Sequence, residues 1–309
     1  MYAIGLNQKA IKQTTGIQNL DTDNYFNEYF YTPSFEEQKD ISEFLDRKTA
    51  QIDDLIAKKE RMIELLKEER TAIINQAVIK GLDPKAEMKD SGIKWLGKVP
   101  KHWKIKKLKY LSIGGLKNGL FKKTEEFGDG TKLINVTNLY KDDFLIDDSE
   151  LDRVDVAPQE FEIYRVQEGD IFFVRSSLKK EGIATSACVE TVKEPLVFEC
   201  HLIKISPEKN LIVPFFLVNY LNSSVIRDRL VSLSITTTMT TISQVGLGTL
   251  EILAPPIDEQ KLIIQKLKDM NDNFFSTVSK IQLEIDLLKE YRTALISEVV
   301  TGKIDVRNQ

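Results

Sequence analysis

One segment occurs twice in this chain. Residues 33–78 align without a gap to residues 255–300, an offset of 222, and 17 of the 46 positions are identical. The densest matches are Glu37-Gln38-Lys39 against Glu259-Gln260-Lys261, and LLKEERTA (65–72) against LLKEYRTA (287–294). A repeat on this scale sets the architecture, because two like elements must bracket a segment of different character. Both copies are written as helices. Pro33, Pro255 and Pro256 stand just ahead of them, where proline is tolerated. Glu36 and Glu37, and Asp258 and Glu259, place negative charge at the positive end of each helix dipole. Gly81 and Gly302 lie where a C-terminal stop belongs, and Pro84 prevents the first helix from continuing.

Within each copy the apolar residues form one stripe. Phe274, Val278, Ile281, Ile285, Leu288, Leu295 and Val299 alternate spacings of four and three, interrupted by Arg292. Ile52, Ile56, Ile63, Leu66, Ile73 and Ala77 repeat the pattern, interrupted by Lys59 and Arg70. That spacing is a coiled-coil seam. At 1.5 Å per residue each helix spans roughly 65–70 Å, too long for a small core to cover, so the natural mate is the other copy. An antiparallel pairing brings together the two helix ends that the intervening domain joins. Arg70 and Arg292 are equivalent under the offset. Each either lies flat along the seam with its stem buried or docks a partner protein.

The middle zone changes character. KLINVTNL (132–139), GDIFFVRSS (169–177), GIATSACVE (182–190) and PLVFECHLIKIS (195–206) are short β-rich runs separated by turn residues. PFFLVNYLNSSVIRDRL (214–230) reads as one helix started by proline. The expected fold is therefore α+β: a globular domain with a compact sheet or barrel at its core, plus two long helices in an antiparallel coiled coil. The repeat also extends upstream. Residues 14–38 align without gaps to 236–260, with Thr14-Thr15 against Thr236-Thr237. The expected organisation is a C-terminal remnant of a first middle-type domain at 1–32, a helical region at 33–84, a complete globular domain at 89–254 and a second helical region at 255–309. A short unrelated leader is the other reading of 1–32.

Composition excludes several classes. The net charge of −4 carries no global basic signature and counts against nucleic-acid binding, unless charge is segregated or a partner supplies more of it. Cys188 and Cys200 form neither a disulfide framework nor a zinc spacing, which points to a reducing cytoplasm. The N-terminus lacks a signal-peptide core, and no apolar run is long enough to span a membrane. His102 and His201 have no ligand cluster around them, so no metal is expected. There is no phosphate-cradling glycine loop, no nucleophile elbow and no N-P-P-[FY] run, so no catalytic role is expected.

Three motifs together resemble the specificity subunit of type I restriction–modification systems. They are the P-x-x-x-E-Q-K helix start followed by LLKE-x-RTA and a closing glycine, seen twice; SGIKWLGKVPKHW (91–103), similar to the opening of a recognition domain; and VTGKIDVR (300–307), similar to the family's C-terminal ending. In that family two target-recognition domains alternate with two helical regions. This chain has one complete recognition domain and the end of another, so it resembles a half-size or truncated form. The resemblance implies recognition of one half of a split double-stranded DNA site without catalysis. It implies helices that hold adenine methyltransferase subunits and set the spacer, as dimer geometry sets half-site spacing elsewhere. S-adenosylmethionine would sit on the methyltransferase partner, and a translocating restriction subunit is a further, optional member that the resemblance implies. Two copies could pair, or another specificity chain could complete the site. A truncated scaffold that binds methyltransferase without reading DNA is the alternative.

Charge is segregated in the middle zone. Residues 98–123 hold nine lysines and no acid, whereas residues 142–170 hold eleven acids against two arginines. Lys117, Asn118, Lys122 and Lys123 lead the candidates for phosphate contact, with Lys179 and Lys180 in a second loop. Lys104, Lys106, Lys107 and Lys109 belong to the same lysine-rich stretch and either contact phosphate with them or form the solvated face of a strand or short helix. Base reading needs directional donors and acceptors. Asn135, Thr137 and Asn138 follow one strand; Arg175, Ser176 and Ser177 follow another. The run SITTTMTTISQ adds Thr236, Thr237, Thr238, Thr240, Thr241, Ser243 and Gln244. It is either a flexible polar loop closing on DNA, or an edge strand or a helix start capped by Thr241 or Ser243.

Overall fold

The computed structural model describes residues 10–14, 17–27, 29, 32–149, 151–236 and 238–307. They fall into two compact units: Met1–Lys67 with Phe274–Gln309, and Glu68–Asn273. The chain opens with an antiparallel hairpin, β1 (Ile11–Thr14) and β2 (Ile17–Leu20). A short helix follows, α1 (Thr22–Phe26), where the Asp21 carboxylate accepts the Asn24 N–H at 3.1 Å. The first long helix, α2, runs Phe35–Lys80. Ser34 and Glu37 start it with reciprocal bonds: Glu37 accepts from the Ser34 N–H at 2.9 Å and the Ser34 hydroxyl accepts from the Glu37 N–H at 3.3 Å. Gly81 ends it in the left-handed conformation, φ +79°.

The second unit takes in the last part of α2 and continues with the hairpin β3 (Met88–Asp90) and β4 (Lys98–Pro100), then β5 (Lys104–Lys107) and β6 (Lys117–Asn118). Next come β7 (Phe127–Ile134), β8 (Leu145–Ile146), β9 (Asp152–Val154), α3 (Pro158–Tyr164), β10 (Ile171–Val174) and β11 (Ser176–Ser177). They are followed by β12 (Ser186–Val189), β13 (Leu196–Phe198), β14 (Leu202–Ile205), α4 (Pro214–Asn222) and α5 (Ser224–Ser232). The unit closes with β15 (Ile235–Thr236), β16 (Thr240–Thr241), α6 (Gln244–Gly248) and β17 (Glu251–Ala254).

The core sheet has the order β6-β14-β10-β12-β8. Its central strands are buried at every position because apolar layers cover both faces. Ile171 and Phe173 of β10 join the cluster built with α4, while Phe172 and Val174 join the cluster around Phe198 of β13. This strict alternation is the period-2 geometry of a strand. Two sequence expectations need correction. Residues 214–230 form two helices, because Ser223 turns extended (ψ 145°) and its hydroxyl donates to the Tyr220 carbonyl at 2.6 Å. The strand expected over 132–139 stops at Ile134, because Asn135 begins a 3-10 turn over Val136–Leu139.

The second long helix, α7, runs Ile257–Val300. In the first unit it packs antiparallel to α2: Asp53 pairs with Arg292 at 2.9 Å, and Lys59, further along α2, pairs with Glu284, further back along α7. The seam between them buries Ile52, Ile56, Ile281, Ile285, Leu295 and Val299, with Ile63, Leu66 and Leu288 half-buried. This is the antiparallel coiled coil expected from the four–three spacing. Among the described residues no helix is long and apolar enough to cross a membrane.

Candidate nucleic-acid interface

One turn, Glu199–His201, organises the candidate residues. It follows β13 and leads into β14. Leu120, just after β6, bridges to Glu199 and donates its N–H to the Phe198 carbonyl at 3.0 Å. The Glu199 carboxylate accepts the Val136 N–H at 2.8 Å, and the Glu199 N–H donates to the Ile134 carbonyl at 3.1 Å. Arg175 donates its backbone N–H to the His201 carbonyl at 2.7 Å and its guanidinium to the Cys200 carbonyl at 3.2 Å. Three segments far apart in sequence (117–123, 135–138 and 175–180) thus meet at one turn. A fourth is joined through β11, which pairs with β16 in the register Ser176↔Thr241 and Ser177↔Thr240. β16 pairs in turn with β15.

The threonine run is therefore a hairpin, not a flexible loop. Thr240 is buried, and its hydroxyl lies 3.0 Å from that of Thr236. Thr236, Thr238 and Thr241 are exposed. Ser243 caps α6 by accepting the Gly246 N–H at 3.0 Å, and Gln244 is half-buried in its first turn. Thr237 lies outside the described residues. The edge-strand and capped-helix reading describes this segment.

The lysines divide. Lys117, Lys123, Lys179 and Lys180 are exposed. Lys122 is enclosed: its ammonium donates to Glu160 at 2.8 Å and Glu126 at 3.1 Å, with only 8% of the side chain exposed. The Glu160 hydrogen bond raises its pKa, and Lys122 in turn lowers that of Glu160. Its charge is already neutralised, so the structure gives it an internal role rather than a phosphate contact. Lys104–Lys107 form β5, paired with β17, and Lys109 stands in the 3-10 turn Leu108–Tyr110 with its ammonium 4.9 Å from the Tyr110 ring.

The polar candidates divide in the same way. The Asn138 side chain accepts the Asn135 N–H at 2.7 Å, and the Asn135 amide donates to Asp152, so both are engaged in starting the 3-10 turn. Thr137 between them is exposed. Ser177 is buried and its hydroxyl donates to the Lys179 carbonyl at 2.7 Å, shaping the loop that presents Lys179 and Lys180. Ser176 and Arg175 are half-buried, as is Asn118, whose side-chain oxygen is buried without a hydrogen-bond partner. Arg227 holds the same loop from α5, donating to the carbonyls of Glu181 and Ile183.

Sequence reasoning missed the Glu199–His201 turn, Arg227 and Gly119. A Cβ on Gly119 would come within 2.1 Å of the Glu199 carbonyl oxygen, so only glycine lets β6 approach the turn. It also missed the exposed aromatics beside the lysines, Tyr110 and Phe121; aromatic interleaving in a lysine run was the available signal. His201 is exposed and Cys188 is buried, its thiol pushed up to about 12 chiefly by burial. Among the described residues no group of His, Cys, Asp and Glu could hold a metal ion.

The seam arginines also have defined settings. Arg70 donates to the Asn271 side chain at 2.8 Å and to the Asp142 carbonyl, and stacks 5.5 Å from the Phe144 ring. Burial lowers its pKa. Arg292 pairs with Asp53 and is partly exposed.

The fold is thus an α+β domain that lies in the chain between two copies of a long helix, and comparison with known proteins places this chain beside one family. No family model matches it. It is 26% identical over 241 residues to the EcoKI type I restriction enzyme specificity subunit of Escherichia coli (strain K12), covering 77% of this chain and 49% of that protein. It is 26% identical over 314 residues to the MjaVIII type I restriction enzyme specificity subunit of Methanocaldococcus jannaschii, covering 99% of this chain and 70% of that one. It therefore spans about half the length of the EcoKI subunit. Among solved structures, a chain from a type I R-M system assembly matches with TM-score 0.69 at 16% identity, covering 94% of this chain and 65% of that one. The HsdS subunit from Thermoanaerobacter tengcongensis matches with TM-score 0.57 at 15% identity, covering 98% and 68%. The resemblance to type I specificity subunits, read from the motifs, is thus shown along nearly the whole chain.

Proposed function

We propose that this chain is a non-catalytic, sequence-specific DNA-recognition subunit of a type I restriction–modification complex. The globular domain reads one half of a bipartite site, and the paired helices hold adenine methyltransferase subunits. The observation that carries the reading is the convergence at the Glu199–His201 turn of three polar or lysine-bearing segments, with a fourth joined to them through the pairing of β11 with β16. Exposed lysines at 117, 123, 179 and 180 suit phosphate contact, which positions a protein on the duplex. Thr137, Ser176, Thr236, Thr238 and Thr241 supply hydroxyl donors and acceptors suited to base edges, with Arg175 beside them. S-adenosylmethionine belongs to the methyltransferase partner, and a restriction subunit completes the complex.

Co-expression with the adenine methyltransferase subunit in a host without adenine methylation, followed by mapping of modified adenines, tests this. A split motif is expected, and Thr241→Val with Thr238→Val should change or erase one half of it. A complex that forms yet leaves no motif would overturn the recognition reading in favour of a scaffold that does not read DNA.

A further inference from the structure

Two lysine pairs that meet at the Glu199–His201 turn each follow an apolar residue: Phe121-Lys122-Lys123 and Leu178-Lys179-Lys180. The first is tied to the turn by Leu120, which bridges to Glu199 and donates its N–H to the Phe198 carbonyl. The second is tied by Arg175, which donates to the carbonyls of His201 and Cys200. Phe121 is 72% exposed and Leu178 is 83% exposed.

Single apolar residues in solvent are common and need no partner. These two are set apart by how their neighbours hold them out. Leu120 is buried, and the Lys122 ammonium is drawn inward to Glu160 and Glu126. The Lys123 N–H donates to the Glu126 carboxylate at 2.8 Å. Burial therefore alternates along this segment, and Phe121 and Lys123 face solvent on the same side. The inward ion pairs of Lys122 give it a role here, because they keep Phe121 turned out. Around Leu178, the buried Ser177 pairs with Thr240. Its hydroxyl accepts the Lys179 N–H at 3.2 Å and donates to the Lys179 carbonyl at 2.7 Å. Arg227 fixes the residues beyond through the Glu181 and Ile183 carbonyls. Each apolar side chain is thus set in place before a ligand arrives, beside an exposed lysine.

Positive charge next to an apolar tip matches the edge of a DNA major groove, where phosphate and base lie close together. The base group that takes an apolar contact there is the thymine 5-methyl. We infer that Phe121 and Leu178 are specificity-determining residues, each packing on a thymine methyl while Lys123 and Lys179 hold neighbouring phosphates. The inference rests on the recognition reading above and adds the base that is read.

The test uses the full chain purified with its adenine methyltransferase partner. Sequences are first selected from a duplex library with a randomised core. In the enriched duplex each thymine is then replaced in turn by uracil, which removes only the methyl group, and affinity is read by fluorescence anisotropy. Burial of one methyl predicts a loss of about fourfold at the contacted thymines. The loss should vanish at one of them in Phe121→Ala and at another in Leu178→Ala. The salt slope, set by the lysines, should keep its parent value. Both side chains lie in solvent, so neither change should shift the melting temperature appreciably. A uracil penalty that survives a substitution at every thymine overturns the assignment of that residue. No penalty at any thymine overturns the inference as a whole; if Phe121→Ala then also abolishes DNA bending, Phe121 is a wedge between base steps instead. A library that yields no enriched sequence would remove the recognition reading itself, and this inference with it.

Discussion

Arg70 and Arg292 occupy equivalent places in the repeat but different environments. Arg70 bonds the nearly buried Asn271 and the Asp142 carbonyl, whereas Arg292 meets Asp53 near solvent. Removing a charged donor from a buried acceptor such as the Asn271 side chain costs roughly 1–3 kcal/mol, while an exposed ion pair is worth about 0–1 kcal/mol. Arg70→Ala should therefore lower the urea midpoint clearly and Arg292→Ala hardly at all. A loss of methyltransferase binding in Arg292→Ala at unchanged stability would assign that residue to docking. Lys122 offers a second test. Its raised pKa stabilises the fold below its ordinary value of 10.5, and this contribution is lost as pH rises through the folded-state value. The lowered pKa values of Glu160 and Glu126 stabilise it above the ordinary 4.5 and lose their contribution as pH falls through the folded-state values. Lys122→Met should thus destabilise most between about pH 5 and pH 10. In melting curves across pH, the gap from the parent chain should narrow below about pH 4.

At the scale of elements, the interface depends on how closely β6 approaches the Glu199 turn. Gly119→Ala forces a Cβ against the Glu199 and Phe198 carbonyls, so β6 must move. Overpacking of this kind costs roughly 1–3 kcal/mol. DNA affinity should fall further than stability alone explains, since Lys117 lies in the displaced strand and Lys123 follows it; equal affinity at DNA-binding temperatures would detach β6 from the interface. Ser243→Ala supplies the control. It removes the α6 cap, worth about 1 kcal/mol, and leaves β6 in place. The helices show the opposite economy: their starts, ends and seam are set by neighbours three and four residues away, which is why they follow the sequence pattern so closely.

For the whole molecule, the proposed DNA contact makes the exposed lysines, rather than the net charge of −4, the electrostatic quantity to test. Each phosphate neutralised contributes about −0.9 to the slope of log K against log salt. Four lysines, at 117, 123, 179 and 180, predict a slope of about −3.6 from this domain. Single Lys→Gln changes there should each flatten it by about 0.9, whereas Lys122→Gln should leave it unchanged. Fluorescence anisotropy at several salt concentrations measures both.

The amino-acid sequence by itself determined the repeat, the long helices with their caps and stops, their antiparallel seam and the α+β character of the domain between them. These follow from local spacing: capping reaches three residues, a helical stripe repeats every three or four, and a strand alternates every two. It also marked Lys117, Lys179 and Lys180, which the fold leaves in solvent. Tertiary structure decided what local spacing has no means to encode. Lys122 and Lys123 are neighbours in one basic run, yet Glu160, from a helix far along the chain, neutralises only the first. Asn135, Asn138, Ser177 and Thr240 have side chains fit to read bases, but partners brought by folding engage or bury them. The convergence of three segments on the Glu199–His201 turn, and the joining of a fourth through β11 and β16, is likewise a product of hydrogen bonding and strand pairing between residues distant in sequence. Long-range hydrogen bonding and burial choose which of many similar polar side chains remain available to a ligand.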